Sequence, residues 1–219
     1  MKLACCVWAI TATELTVLDY MKTLGFDWID IQPQMLKTDE PRLHAQNLGL
    51  QVSCMGASFA LSEGINLDDA DDTQRQKAID IINASIDHAH ELGATVAYVV
   101  PSFDSTAAAL ERFAESLCIV ADHAQTHNIK IGIEHFPGRA LPTAQRTLEF
   151  IANSGHDNLY LLLDSGHLQM SKEDAPTVIR NAGDRLAYVH LDDNDGKGDL
   201  HWSLLDGVMT EASLKALFD

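Results

Sequence analysis

The chain has 219 residues, of which 46% are hydrophobic and 21% charged, a composition typical of a globular protein rather than a disordered or fibrous one. A single core grows to about 250 residues before chains usually divide, so we expect one domain over residues 1–219. The formal net charge of −17 disfavours phosphate backbones and anionic membrane surfaces, and therefore argues against nucleic acid or membrane as a partner.

The N-terminal run MKLACCVWAIT is apolar but lacks a small-residue cleavage site, so we interpret it as a strand rather than a signal peptide. No stretch of the sequence approaches the roughly 20 apolar residues that a membrane-spanning helix needs. The cysteines are Cys5, Cys6, Cys54 and Cys118. They show no CxxC spacing, which predicts neither a zinc knuckle nor a disulfide framework and favours a cytoplasmic location.

Four junctions along the chain join an amphipathic segment that ends in Gly or Asn to an apolar, β-branched run. The closing residues are Gly25, Gly49, Gly93 and Asn128. Gly and Asn readily adopt the left-handed conformation that ends a helix, so each junction predicts a helix followed by a strand. Start signals precede the helical segments, such as Thr11 with Glu14 and the acidic turn at residues 68–72.

The sequence predicts seven strands that alternate with helix-length segments. They span residues 3–9, 26–31, 51–55, 95–100, 129–133, 159–163 and 186–191. Alternating strands and helices pair in parallel through right-handed crossovers, which leaves a doubly wound open sheet or a closed barrel. No GxGxxG or GxxxxGKS/T motif follows any strand. This absence disfavours the nucleotide-binding open sheet and favours the barrel.

A complete (β/α)₈ barrel has eight strands in about 250 residues, whereas this sequence provides seven strand–helix units. Residues 210–218 predict a helix, and no eighth strand follows it. We therefore predict an α/β fold of the TIM-barrel type that lacks its eighth strand because the chain is clipped near its C-terminus. The alternative is an open seam between the first and seventh strands, whose unpaired edges would favour a homodimer.

Three predicted strands lead into side chains that can bind a metal ion. Alternate residues of a barrel strand face the lumen, and chemistry collects at the carboxyl ends of the strands. By this alternation Glu134, Asp164 and His190 each occupy the final inward position of a strand. Two carboxylates and an imidazole suit Mn²⁺, Co²⁺, Mg²⁺ or Zn²⁺, and such an ion polarises a substrate carbonyl. The simpler alternative is that each one is a solvated loop residue.

Further polar residues follow the same strand ends. His167 comes three residues after Asp164, and Asp199 and His201 lie in the polar loop after the seventh strand. Their two-residue spacing directs the side chains of Asp199 and His201 to the same side of an extended loop. The alternatives are a backbone-bonded histidine at a helix start and a glycine-rich surface turn. Trp8, at the end of the first strand, would form an apolar wall for a substrate or else belong to the core.

Four motifs in fixed order, IGIEHFPG, LLLDSGH, YVHLDD and DLHWSLLDG, resemble those of the xylose isomerase-like TIM barrels. This family comprises sugar phosphate isomerases and epimerases together with the related AP endonucleases, and the resemblance spans the whole chain. It implies that Glu134, Asp164 and His190 ligate a divalent metal ion. The family normally supplies a fourth ligand, a Glu from the eighth strand, which this sequence lacks.

The remaining matched positions and two departures separate the branches of the family. By resemblance, His167 and His201 contact substrate or bind a further metal ion, with Asp199 accompanying His201 in the latter case. AP endonucleases also carry histidines after strands three and four, where this sequence reads VSCMGAS and YVVPSF. Ketose 3-epimerases usually carry a second substrate-binding Glu where this sequence reads FPGRA. The first departure argues against a DNA phosphodiesterase, and the second against close identity with the ketose 3-epimerases.

The resemblance implies a metal-dependent isomerase or epimerase that acts on a small sugar or sugar derivative through an enediolate. Glu134 would abstract the proton next to the carbonyl, and His167 is the second candidate catalytic residue, with His201 holding substrate hydroxyls. Epimerisation needs a second acid/base, which the family takes from the eighth strand. Two alternatives stay open: a lyase that dehydrates an inosose or a dehydroshikimate-type compound, and a non-catalytic sugar-binding barrel.

Overall fold

The structure is a computed structural model that describes residues 2–218 of the chain. Seven parallel strands form one sheet in sequence order, so each strand pairs with its neighbours along the chain. The strands are β1 (Ala4–Cys6), β2 (Trp28–Ile31), β3 (Gln51–Gly56), β4 (Val96–Val99), β5 (Lys130–Glu134), β6 (Leu159–Asp164) and β7 (Leu186–His190). Within the described residues, β1 and β7 are the two edges of the sheet. This arrangement confirms the predicted TIM-barrel type of fold, with seven strands and no eighth among residues 2–218.

Helices connect successive strands. They are α1 (Glu14–Thr23), α2 (Asp39–Leu48), α3 (Asp72–Glu91), α4 (Ala107–Thr126), α5 (Ala144–Ser154), α6 (Ser165–Ser171), α7 (Ala175–Ala182) and α8 (Glu211–Ala216). The predicted helix stops are confirmed, since Gly49 and Asn128 adopt φ angles of 71° and 58°. No helix within residues 2–218 combines the length and the apolar character that a membrane crossing requires.

Two predicted boundaries near the N-terminus are wrong. The first strand ends at Cys6 rather than at residue 9, because its only partner is β2 and their register stops there. Residues Val7–Ala9 instead form a 3₁₀ turn, and Trp8 lies on it. Helix α1 is capped by Thr13 rather than Thr11, since the Thr13 side chain accepts a hydrogen bond from the Thr16 backbone.

The two faces of the sheet bury different residues. Ile131 and Ile133 of β5 are fully buried in the large apolar core that the sheet shares with the helices. The other face carries a small apolar cluster in the lumen, which includes Tyr98 and Leu162. Gly132 belongs to this inner face, because a Cβ there would lie 3.2 Å from the Leu162 Cβ. By strand alternation, the last residues of β5 and β6 therefore face the lumen.

Candidate active site

The final residues of β5, β6 and β7 are Glu134, Asp164 and His190. Parallel pairing sets Asp164 directly opposite His190 and Glu134 opposite Leu162, which brings the three ends to one edge of the sheet. The Nδ1 atom of His190 lies 3.2 Å from Glu134 Oε1 and 3.8 Å from Asp164 Oδ2. All three side chains are buried. The structure thus brings together the three residues that the sequence singled out.

This group of donors fits a divalent ion. One ligand atom from each of Glu134, Asp164 and His190 lies within 4.8 Å of the others. Carboxylate oxygens with an imidazole nitrogen suit Mn²⁺, Mg²⁺, Co²⁺ and Zn²⁺. The pKa of the Asp164 carboxyl is raised to about 7, chiefly by burial and to a lesser degree by the carboxylates of Asp192 and Glu134, although His167 opposes the shift. A bound cation would offset this concentration of buried negative charge.

Asp30, in β2, is a further candidate site residue that no motif or spacing in the sequence predicted. It is fully buried, and its Oδ2 atom lies 3.0 Å from Nε2 of His190. Because Nε2–H donates to Asp30, the ring presents Nδ1 to Glu134 and Asp164. Burial opposes a charged imidazole, but the hydrogen bonds to Asp30 and Glu134 raise the pKa of His190 well above its usual value. The one available signal was an acid inside the apolar strand WIDI.

Cys6 adds a thiol beside Asp30. Its Sγ atom lies 3.8 Å from Asp30 Oδ2, and Cys6, Asp30 and His190 form a second group of donors within 4.8 Å. Burial raises the pKa of the Cys6 thiol well above its usual value, and the carboxylate of Asp30 adds to the shift. A protonated thiol is a poor metal ligand, so this second group is a weaker candidate than the first.

His167, Asp199 and His201 form a second polar group at the mouth of the barrel. The Nδ1–H of His167 donates to the carbonyl oxygen of His135 at 2.8 Å, which leaves Nε2 directed at Asp199. Asp199 Oδ1 lies 3.5 Å from His167 Nε2 and 3.4 Å from His201 Nε2. Among the described residues, neither His167 Nε2 nor Asp199 Oδ1 has a hydrogen-bond partner. Unsatisfied buried polar atoms that converge in this way fit a ligand.

The loop that carries Asp199 and His201 is organised by Asp193. This carboxylate is fully buried and accepts hydrogen bonds from the backbone N–H groups of Asn194, Gly207 and Met209 at 2.8, 2.8 and 3.0 Å. The backbone of Asp193 also pairs with that of Trp202 in an isolated antiparallel bridge. Asp193 therefore joins the two ends of the loop formed by residues 191–209, and these hydrogen bonds fix the conformation of the loop.

A cavity of about 1610 Å³ is lined by these groups and by several aromatic side chains. The Trp8 ring lies 5.7 Å from the Phe59 ring and 6.1 Å from the His201 ring, in the position of an apolar wall. Arg139 also lines the cavity, with its guanidinium 3.9 Å from the ring centre of Phe103. Among residues 2–218 the Arg139 guanidinium has no carboxylate within 4.0 Å. The mouth thus combines acids, imidazoles, an apolar wall and one arginine that lacks an acidic partner.

A curled parallel sheet with two carboxylates and an imidazole at its carboxyl edge defines a TIM-barrel protein with a candidate divalent-metal centre. The profile of the xylose isomerase-like TIM barrel family matches residues 18–219, and the chain belongs to this family. The polar groups derived from the strands therefore lie where barrels of this type carry out their chemistry.

Relatives of known activity include sugar epimerases and dehydratases. The chain is 23% identical to the L-ribulose 3-epimerase of Mesorhizobium japonicum over 93% of this chain and 74% of that protein. It is 26% identical to the 3-dehydroshikimate dehydratase of Pseudomonas putida over 84% of this chain and only 29% of that protein. A solved D-allulose 3-epimerase from Methylomonas sp. has a TM-score of 0.83 at 17% identity, covering 100% of this chain and 80% of that one. The structural match shows the fold that the two proteins share.

Proposed function

We propose that this protein is a divalent-metal-dependent isomerase or epimerase of a small sugar or sugar derivative. The observation that carries the proposal is the convergence of Glu134, Asp164 and His190 on one point within 4.8 Å. The similarity to an L-ribulose 3-epimerase supports the substrate class. A bound Mn²⁺, Co²⁺, Mg²⁺ or Zn²⁺ ion would act as a Lewis acid that polarises the substrate carbonyl.

Glu134 is the proposed base. Its carboxylate takes the proton from the carbon next to the carbonyl. The electrons of the broken C–H bond form a C=C double bond to the carbonyl carbon, and the π electrons of the carbonyl move onto its oxygen to give an enediolate. Return of the proton to the former carbonyl carbon, with a proton shift between the two oxygens, gives the isomer, whereas the epimer requires a second acid that protonates the opposite face of the original carbon. Asp164 and His190 would hold the ion, while the hydrogen bond to Asp30 would fix the orientation of the His190 ring.

The mouth residues have proposed roles in substrate binding. His167 directs Nε2 into the cavity and would donate a hydrogen bond, or a proton, to a substrate oxygen. Asp199 and His201 would bind substrate hydroxyls or, with His167, a further metal ion. Trp8 would pack against the apolar face of the sugar ring.

A dehydratase of the same family is the second candidate. Its reaction begins with the same proton abstraction, after which the C–O bond one carbon further breaks and the hydroxyl, protonated by a general acid such as His167, leaves as water. Arg139 favours this reading, because an arginine without an acidic partner at the mouth matches a substrate that bears a carboxylate, such as 3-dehydroshikimate. A non-catalytic sugar-binding barrel is the third outcome that the experiment must separate.

Solvent isotope exchange tests these candidates directly. Metal-free protein is reloaded with Mn²⁺ or Co²⁺ and incubated in D₂O with L-ribulose, D-allulose, D-fructose or 3-dehydroshikimate, and the products are followed by NMR. We expect deuterium at the carbon next to the carbonyl and a new ketose or aldose. A product that has lost water would favour the dehydratase instead.

Replacing Glu134 by Gln should lower the exchange rate by about 10²–10⁴-fold, because it removes the base. The control is Glu111→Gln, which removes an exposed carboxylate on α4. Unchanged exchange in E134Q would rule out Glu134 as the base. Wild-type protein that neither binds a divalent ion nor exchanges deuterium would leave the binding barrel as the best description.

A further inference from the structure

A further group of side chains with metal-ligand chemistry lies outside the barrel, where the C-terminal ends of α3 and α4 meet. Nε2 of His123 is 2.7 Å from Asp87 Oδ1, and Nε2 of His127 is 3.1 Å from the same oxygen. These three ligand atoms all lie within 4.8 Å of one another. We propose that Asp87, His123 and His127 form a surface site for a divalent transition-metal ion such as Zn²⁺.

The helices fix the geometry of this group. His123 lies in the last turn of α4 and His127 immediately follows that helix, so the four-residue spacing puts both rings on one side. The His127 ring is 5.1 Å from the His123 ring and 4.5 Å from the ring of His90 on α3. Side-chain exposures of 30% for His123 and 25% for His127 leave the rings accessible but restrained by their neighbours.

The donor chemistry selects the class of ion. Two imidazole nitrogens and one carboxylate oxygen suit Zn²⁺, Co²⁺, Ni²⁺ or Cu²⁺, whereas Mg²⁺ and Ca²⁺ prefer sites made of oxygen alone. Tetrahedral zinc bonds of about 2.0–2.1 Å set neighbouring donors about 3.3 Å apart, so the two distances from Asp87 Oδ1 to the imidazole nitrogens need to lengthen only slightly. Each ring binds through Nε2 once its proton moves to Nδ1, and water completes the coordination.

The local electrostatics also favour a cation. Both α3 and α4 end beside this group, and the C-terminus of a helix carries partial negative charge. The Asp87 carboxylate and the net charge of −17 add to this attraction. Helices that precede parallel strands end at the amino edge of the sheet, so the proposed ion lies on the opposite side of the barrel from Glu134. It would link two outer helices and stabilise the fold independently of the proposed enzymatic activity.

Other histidine–aspartate pairs on the surface lack the second imidazole. His44 Nε2 lies 2.8 Å from Asp19 Oδ1, with side-chain exposures of 32% and 60%. These values are close to those of His123 and Asp87, at 30% and 52%. His44→Ala is therefore a matched control that removes an exposed histidine–aspartate pair without removing a group of three donors.

Calorimetric titration of metal-free protein with Zn²⁺ tests the proposal. We expect the H123A/H127A double variant to bind one Zn²⁺ ion fewer per chain than the wild type, and H44A to keep the wild-type number. Mg²⁺ in tenfold excess should not displace the surface ion. Equal Zn²⁺ stoichiometry and affinity in wild-type protein and H123A/H127A would overturn the site.

A measurement on the wild type covers the case in which the double variant does not fold. Long-range ¹H–¹⁵N NMR of the histidine rings should show Zn²⁺-induced shifts at the Nε2 atoms of His123 and His127 but not at His44. Absence of shifts at both His123 and His127 would also overturn the proposal. The same spectra of E134Q separate this site from the mouth, since the surface shifts should persist whatever becomes of the proposed activity.

Discussion

The Asp30–His190 pair couples a buried carboxylate to a proposed metal ligand. Asp30→Asn keeps the shape of the side chain but removes the charge that orients and polarises the imidazole, so we predict a 10–100-fold loss of Mn²⁺ affinity. Titration calorimetry of metal-free protein measures this loss. Asp27→Asn, which removes an exposed carboxylate just before β2, is the control. Unchanged Mn²⁺ affinity in D30N would contradict the positioning role.

Asp30 also marks the limit of inference from the sequence at this scale. Glu134, Asp164 and His190 could be predicted because strand alternation and adjacent pairing are local rules that bring neighbouring strand ends together. The contact between Asp30 and His190 joins residues 160 positions apart across the lumen. This contact depends on how strongly the whole sheet curls, and no residue spacing in the sequence predicts the distance between β2 and β7.

Among the larger elements, the helices and strands could be predicted from local sequence preferences, whereas the conformation of the loop at residues 191–209 could not. The stop at Gly49 could be predicted because its left-handed φ of 71° costs glycine little. Residues 191–209 are held by hydrogen bonds that the backbone N–H groups of Gly207 and Met209 donate to Asp193, which lies 14 and 16 positions before them. Such contacts form only when the loop folds back on itself. The sequence therefore predicted a polar loop but not the hydrogen bonds that join its two ends.

The Asp193 carboxylate is expected to hold the loop at residues 191–209 in place. Asp193→Ala removes the acceptor of the buried Met209 N–H and of the half-buried Gly207 N–H, at a cost of about 1–3 kcal/mol for each group, whereas the Asn194 N–H keeps Gln169 Oε1 at 3.3 Å. We expect faster amide hydrogen exchange confined to residues 191–209, together with a higher KM, because Asp199 and His201 lose their fixed positions. Mass spectrometry resolves the exchange by peptide. The control is Asp206→Asn, an exposed acid in the same loop, and protection equal to wild type in D193A would contradict the prediction.

Within residues 2–218, the sheet has the two edge strands β1 and β7, and several buried carboxyl groups lie close together in its lumen. The edges β1 and β7 are the basis for the expected homodimer, which stays a prediction. The centre holds the buried carboxyls of Asp30, Glu134 and Asp164, and their proximity to one another opposes folding of the metal-free chain. Stability and ion binding are therefore linked, since an ion that binds only the folded state stabilises it by mass action.

Asp164 makes this linkage measurable. Its pKa is about 7 in the folded protein, above the usual value of 3.8, so the folded state holds a proton that the unfolded state releases between these two values. The wild type consequently loses stability as the pH rises from about 4 to about 7, and the loss is complete above that range. Asp164→Asn has no such loss, and its amide oxygen can still accept the hydrogen bond from the His167 backbone.

We therefore expect D164N to have the higher Tm in chelator at pH 8, with a smaller advantage at pH 5. Each kcal/mol corresponds to about 2–4 °C in a domain of this size. Mn²⁺ should give the wild type the higher Tm. At about 100 times its Kd, the ion adds about 2.7 kcal/mol to the free energy of unfolding of the wild type but little to that of a variant that lacks a metal ligand. Differential scanning fluorimetry gives the Tm of wild type and D164N at pH 5 and pH 8, with and without Mn²⁺. A metal-free D164N that melts below the wild type at pH 8 would show that the buried charge does not limit stability.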